Sequence, residues 1–184
     1  MEDRKEAIRK EADRLLPEQM YFCRGSLEDL EEINEIEHIC FPENEACSRE
    51  HFVKRLTVAP EHFLLIKERT AAGQERIVGF VNDIATDQKT VSDEMFTNIV
   101  EHRPEGAYLM ILGLDVRPEY RHRGYAGMLL RQLIENARQE GRRGVGLTCH
   151  DFLIPYYSRF GFRDLGVSAS VWGGETWYDM RVDF

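Results

Sequence analysis

The stretch Leu114-Asp115-Val116-Arg117-Pro118-Glu119-Tyr120-Arg121-His122-Arg123-Gly124-Tyr125-Ala126-Gly127 decides how this chain is read. An apolar run leads into a basic, glycine-bearing turn. Ala126, Leu129, Leu130, Leu133, Ile134 and Ala137 then recur at helical spacing. Strand, tight turn and helix in that order aim free backbone N–H groups and a helix N-terminus at one point, which makes an anion site. No Gly-Lys-Ser/Thr follows, so this is not a P-loop, and the G-x-G-x-x-G dinucleotide fingerprint is missing as well. On spacing alone, an ordinary strand–turn–helix with a polar turn stays equally open.

Composition narrows the setting. At 184 residues, 42% of them hydrophobic, the chain is expected to form one core-bearing domain over 21–184, with a charged helical extension over 1–20. The net charge of −9 argues against a nucleic-acid partner and suits a cationic substrate such as an amine. Cys23, Cys40, Cys47 and Cys149 show no C-x-x-C spacing, and no histidine pair stands at zinc-ligand spacing, so reduced thiols and no metal are expected. Cys149, in an apolar run, reads as a core residue. The charged N-terminus and the absence of an apolar run of about 20 residues predict a soluble, cytoplasmic protein without membrane contact. Whether it is a monomer or a homodimer stays open.

Along the chain, residues 21–24 read as a first strand. Ser26 opens a helix to about His38, with Asp29 as a weak capping box and Leu27, Leu30, Ile33, Ile36 and Ile39 on its buried face. Residues 41–47 are a loop, and Ser48 caps a second helix to about Leu56. Strands at 63–66 and 77–84 make a hairpin around Ala71-Ala72-Gly73. Residues 85–106, with a short helix near 93–100, form a connection long enough to imply a function. A central strand at 107–116, the helix after the turn, a strand at 145–149, a short helix at 153–159 and a closing pair at 169–171 and 177–182 complete the order.

A second distinctive stretch is Leu147-Thr148-Cys149-His150-Asp151-Phe152-Leu153-Ile154-Pro155-Tyr156-Tyr157-Ser158-Arg159-Phe160-Gly161-Phe162. With the glycine turn, with Asn34-Glu35-Ile36-Glu37-His38-Ile39-Cys40-Phe41 and with Cys47-Ser48-Arg49-Glu50-His51-Phe52, it resembles the GNAT-type N-acetyltransferases. The branch it is most similar to is that of the serotonin (arylalkylamine) N-acetyltransferases. The resemblance runs from about Phe22 to Phe184. It implies an α/β (α+β) GNAT acyltransferase fold, with a mixed, mostly antiparallel sheet of about six or seven strands flanked by helices.

It also implies acetyl transfer from acetyl-CoA, as co-substrate, to a primary amine by direct attack through a tetrahedral intermediate. The main chain of Leu114, Asp115 and Val116 would pair with the pantetheine arm. Arg121, His122, Arg123, Gly124, Tyr125, Ala126 and Gly127 would surround the pyrophosphate, with Arg117 and Arg131 as further cations for the phosphates. Tyr157 matches the tyrosine beside the CoA sulfur and is the candidate general acid. Since a phenol is a weaker acid than a thiol by about 1.5 pKa units, stabilising the thiolate by a hydrogen bond is the better description. The oxyanion would lie against a backbone N–H near residues 112–114.

An alkylamine is about one part in 10³ neutral at pH 7, a deficit of about 4–5 kcal/mol that a base must help supply. The branch uses two strand histidines for this, but the matching positions here are Met110 and Leu112. The loop Phe41-Pro42-Glu43-Asn44-Glu45-Ala46 resembles the acidic loop of insect-type dopamine N-acetyltransferases. Glu45, or else Glu43, is therefore the candidate base, taking the proton directly or through water. An exposed carboxylate in a charged loop is the plainer alternative, and His150 and His102 are weaker candidates. Phe41, Met110 and Leu112 offer an apolar lining that suits an aryl- or alkylamine. Acetylation of a protein or peptide, and a non-catalytic CoA-binding regulatory module, are the competing functions.

Overall fold

A computed structural model describes residues 16–184, so most of the helical extension expected over 1–20 lies outside the described residues. Seven strands form one sheet in the order β1 (Met20–Arg24), β2 (Phe63–Arg69), β3 (Glu75–Thr86), β4 (Tyr108–Val116), β5 (Gly144–Cys149), β7 (Tyr178–Asp183), β6 (Arg163–Val167). Neighbours run antiparallel except β4 and β5, which are parallel. The helices are α1 (Leu30–Cys40), α2 (Arg49–Val58), α3 (Asp93–Thr97), α4 (Tyr125–Gln139) and α5 (Ile154–Ser158). This is the mixed, mostly antiparallel sheet with flanking helices that the sequence predicts.

The two faces of the sheet bury different helices. On one, Leu129, Leu130, Leu133 and Ile134 of α4 pack on Val78, Val81, Leu109 and Val145. On the other, Ile33 and Ile36 of α1 and Phe52 of α2 meet Phe63, Leu65 and Phe80. The Phe52 ring lies edge-on to Phe63 and Phe80 at 6.1 and 6.2 Å. Burying such a side chain contributes about 1.5–3 kcal/mol.

The helix starts follow from local chemistry. Before α1 the Ser26 N–H donates to Asp29 Oδ2 at 3.0 Å. Ser48 Oγ accepts the His51 N–H at 3.3 Å at the start of α2.

Three expectations differ from the fold. Leu27 and Ile39 are exposed, and the buried stripe of α1 instead ends in Glu37, 3% exposed. The chain enters through a 3-10 turn and α1 begins at Leu30; Glu37, four residues after Ile33, shares its inward face, where its carboxylate accepts the Cys47 N–H. The strand expected at 169–171 is also absent, and its place beside β7 is taken by Arg163–Val167. That edge strand is largely exposed, so it lacks the apolar alternation that marks a half-buried strand. Finally, Met110 does not line a site: it is fully buried against Ile84, Val91, Met95 and Tyr108. Among the described residues, no helix is long and apolar enough to cross a membrane.

Candidate active site

β4 and β5 pair only from Tyr108, Leu109 and Met110 to Gly144, Val145 and Gly146. Beyond that point β5 follows β7 as far as Cys149 opposite Tyr178, while β4 stays on β3. Leu112 is an extra residue in β4, because Gly113 faces Asn82 and Ile111 faces Asp83. A bulge of this kind bends its strand and locally disrupts the ladder. The splay opens a cleft of about 800 Å³ between the two strands. Past Met110, the edge of β4 that would face β5 carries no strand among the described residues, and such an edge can take up an extended ligand by its main chain. Leu112, Leu114 and Val116 line the cleft, whereas the Asp115 side chain is fully buried.

At one end of the cleft stands the glycine turn. His122 has φ of 60° and Gly124 φ of 90°, both left-handed, a backbone path that turns successive N–H groups toward one concavity. The first N–H bonded down α4 is that of Met128, to the Gly124 carbonyl at 3.0 Å. The earlier N–H groups of the helix therefore have no intrahelical acceptor. A Cβ at Gly124 would meet no atom within 4 Å, so the turn stands clear for a ligand. The residues present fit a phosphate-bearing group.

The arginines divide. Arg121 lines the cleft, its Nε donating to the Val116 carbonyl at 3.1 Å and its Nη2 to Cys40 Sγ at 3.3 Å. Arg123 lies over the Tyr120 ring, and Arg131 over Phe160. Arg117 is buried and committed to Glu32, Glu35 and the Ile77 carbonyl at 2.9–3.0 Å. Gly127 packs on Phe160, whose ring a Cβ would approach to 3.0 Å.

The other end is acidic and aromatic. Glu45 lines the cleft with its side chain only 9% exposed, and its Oε2 is 3.4 Å from His150 Nε2. The His150 ring stacks on Trp177 at 4.4 Å and on Phe152 at 5.5 Å. A segment between β6 and β7 crosses to the acidic loop as a strap. Trp172 Nε1–H donates to the Glu45 carbonyl and Asn44 Nδ2–H to the Gly173 carbonyl, both at 2.8 Å. The Trp172 ring stacks on Phe96 at 4.8 Å, and its carbonyl accepts from Trp177 Nε1 at 2.8 Å. Phe96 comes from the long 85–106 connection, which thereby forms a wall of the cleft. Glu43 is exposed and outside the cleft. His102 is outside it as well: its Nδ1 accepts the Ala85 N–H at 3.2 Å beside His62.

Between the two ends, Tyr157 and Cys149 line the cleft. Burial, then the neighbouring Cys149 and Tyr156, raise the Tyr157 pKa, so its hydroxyl keeps its proton through the neutral range. Burial pushes the Cys149 thiol up to about 12 and Cys40 up to about 11, so neither is a thiolate at neutral pH. None of the four cysteines forms a disulfide.

Beneath the bulge lies a pair of carboxyl groups. Glu37 Oε1 accepts the Cys47 N–H at 2.7 Å, while Glu37 Oε2 and both oxygens of Asp115 are buried without a partner among the described residues. Burial pushes Glu37 up to about 7, against the opposing pull of the Cys47 N–H and of Arg55. Burial, then Glu37, raises Asp115 well above the carboxylate range.

Sequence reasoning missed Phe96, Trp172, Trp177, Glu37 and Asp115 as site-forming side chains. The two tryptophans, standing in a Gly-rich segment after an exposed strand, were the signal available for the strap.

The model of the acetyltransferase (GNAT) family matches residues 28–162, and the chain belongs to that family. The chain is similar to serotonin N-acetyltransferase of Mesocricetus auratus, with 30% identity over 124 residues. That is 65% of this chain and 58% of the relative's length. Among solved structures, the loading GNATL domain of CurA from Lyngbya majuscula matches with a TM-score of 0.74 at 14% identity, covering 89% of this chain and 97% of that one. PaiA N-acetyltransferase from Thermoplasma acidophilum, solved in complex with coenzyme A, matches with a TM-score of 0.64 at 16% identity, covering 90% and 99%. At these identities the structural likeness shows the fold.

Proposed function

We propose that the protein acetylates a small aryl- or alkylamine, with acetyl-CoA as the acetyl donor. One observation carries this reading: the cleft that begins at the phosphate-fitting turn ends at the Glu45 carboxylate, beneath a roof of Trp172, Phe96 and Trp177. A carboxylate and aromatic faces together suit an ammonium group attached to an apolar body, through charge and cation–π attraction. The strap, tied across the acidic loop by two hydrogen bonds, narrows that end and favours a small amine over a polypeptide.

In this reading the pantetheine arm runs along the main chain of Leu114, Asp115 and Val116. The N–H groups from His122 to Gly127 meet the pyrophosphate, with Arg121 and Arg123 as nearby cations. Glu45 takes the proton of the bound ammonium, directly or through water, and His150 at 3.4 Å is within reach to pass it outward. The neutral amine then attacks the thioester carbonyl directly. Tyr157, kept protonated by its surroundings, donates a hydrogen bond to the departing sulfur.

Thiol release from acetyl-CoA, measured against a panel of arylalkylamines, alkylamines and peptide N-termini, tests the proposal. The expected result is turnover on an aryl- or alkylamine, with Glu45→Gln lowering kcat by about 10²-fold and the acetyl-CoA KM unchanged. Tight acetyl-CoA binding without turnover on any amine would overturn it, as would activity confined to peptides.

A further inference from the structure

The proposed reaction sheds two protons from nitrogen: one when the ammonium becomes an amine, and a second when the nitrogen, having attacked the thioester, becomes an amide. Glu45 at the aromatic end serves the first. We propose that Glu37, backed by Asp115, is the acceptor of the second; the inference rests on the amine-acetyltransferase reading above.

The geometry argues for it from the bulge. Gly113 follows the extra residue Leu112, at the point where the β4 edge turns to the cleft. A Cβ at Gly113 would stand 3.3 Å from Asp115 Oδ2 and 3.6 Å from Glu37 Oε2. The missing side chain thus brings both carboxyl groups up to the strand along which the thioester is expected. Glu37 itself lines the cleft and Asp115 lies behind it. Three of their four oxygens are buried with no donor among the described residues, an arrangement that strongly disfavours two full charges. The pair escapes that cost by holding a proton between its members, as close carboxyl groups do.

The groups facing the pair are His38 and Cys40 of α1, Arg55 of α2, Cys47 of the acidic loop, Asn82 of β3, Arg121 of the turn and Tyr157 of α5. Arg55 is the cation nearest to Glu37 in effect, and its Nη1 is already committed to Asn82 Oδ1 at 2.9 Å. The pair is therefore left as a proton carrier rather than closed in an ion pair.

The step balances simply. As the C–N bond forms and the C–S bond breaks, the N–H proton passes to the Glu37 carboxylate, and the pair goes from one bound proton to two. It then returns that proton to the thiolate or to water. Asp115 acts through Glu37 and is a positioning residue.

The test uses the full-length protein, with saturating acetyl-CoA and the best amine of the panel. Glu37→Gln keeps an oxygen for the Cys47 N–H and so keeps the loop, but it cannot take a proton. The wild-type kcat is expected to fall as pH drops through about 7. Glu37→Gln should lose at least tenfold in kcat together with that pH limb, with acetyl-CoA KM within twofold of wild type. Asp115→Asn, which exchanges the carboxyl proton shared with Glu37 for a weaker amide donor, should move the limb to higher pH. Carbon-13 NMR of labelled Glu and Asp carboxyls supplies a readout free of turnover: a carboxyl titrating near neutrality should be present in the wild type and absent from Glu37→Gln.

An unchanged pH limb in both variants overturns the proposal and leaves amine acetylation standing. A purely structural role for Glu37 would lower stability without moving the limb, which also overturns it. A wild type that turns over no amine overturns both readings together.

Discussion

Replacing Gly173 with alanine isolates the strap. Gly173 has φ of 66°, and an L side chain in that region costs about 1–2 kcal/mol. The new Cβ would stand 2.8 Å from the Asn44 carbonyl oxygen and 3.0 Å from Glu45 Cγ, so strap or loop must move. Overpacking of this kind costs about 1–3 kcal/mol.

Against that strain stand two hydrogen bonds of 2.8 Å, each contributing about 1 kcal/mol net, and the Phe96–Trp172 stack, about 1 kcal/mol more. A strain of about 2–5 kcal/mol brackets the roughly 3 kcal/mol holding the strap, and above that value the strap lifts while the sheet stays folded. The stability loss should level off near 3 kcal/mol, or about 6–12 °C in Tm for a chain of this size.

Thermal melting checks that figure, and steady-state kinetics with each substrate varied in turn checks the function. The amine KM should rise at least tenfold, a loss of about 1.4 kcal/mol, while the acetyl-CoA KM stays within twofold. An unchanged amine KM alongside the expected Tm loss would refute the strap as part of the amine site. An unchanged Tm would refute the strain argument itself.

Three further outcomes are expected. Tyr157→Phe should lower kcat about 10- to 100-fold, with little change in the acetyl-CoA KM, since a hydrogen bond to a charged group contributes about 1.5–3 kcal/mol; stopped-time assays of thiol release read it directly. Arg117→Ala should destabilise the fold by about 2–3 kcal/mol without altering the acetyl-CoA KM, because it leaves the Ile77 carbonyl without its donor and Glu32 without its cation; denaturant melts together with that KM check it.

His62 makes the third. Burial lowers its pKa, but the charge of Asp83 and a hydrogen bond of 2.6 Å outweigh burial and raise it above the ordinary value. The pair's stabilisation is thus full below the unfolded histidine pKa of about 6.5 and is lost as pH rises through the folded value. The Tm difference between wild type and His62→Gln should shrink as pH rises above about 6.5, and a constant difference would count against an ionic pair.

Much of the fold was legible because it is local. The turn at Arg121, His122, Arg123 and Gly124 announces itself by a glycine at a helix start, and α4 by its apolar repeat. The edge strand β6 was not legible, since an exposed strand carries no alternation to read. Met110 looked like a lining residue on the strand, yet the last parallel contact, Met110 with Gly146, seals it beneath the sheet. Glu37 read as one charge among many on an acidic helix, and only the packing of the 41–47 loop and of β4 at Gly113 against that helix makes it a buried group.

The sequence by itself determined the family, the order of elements as far as β5 and the anion-fitting turn, because each depends on residues adjacent in the chain. The tertiary structure decided what faces the cleft. Glu45 of the acidic loop, His150 after β5, Phe96 of the long connection and Trp172 of the strap are brought together only when β5 leaves β4. Likewise, Glu37 and Asp115 are 78 positions apart. They meet because a one-residue bulge in β4 shifts which side chains alternate toward α1, and a register of that kind is set by packing across the sheet.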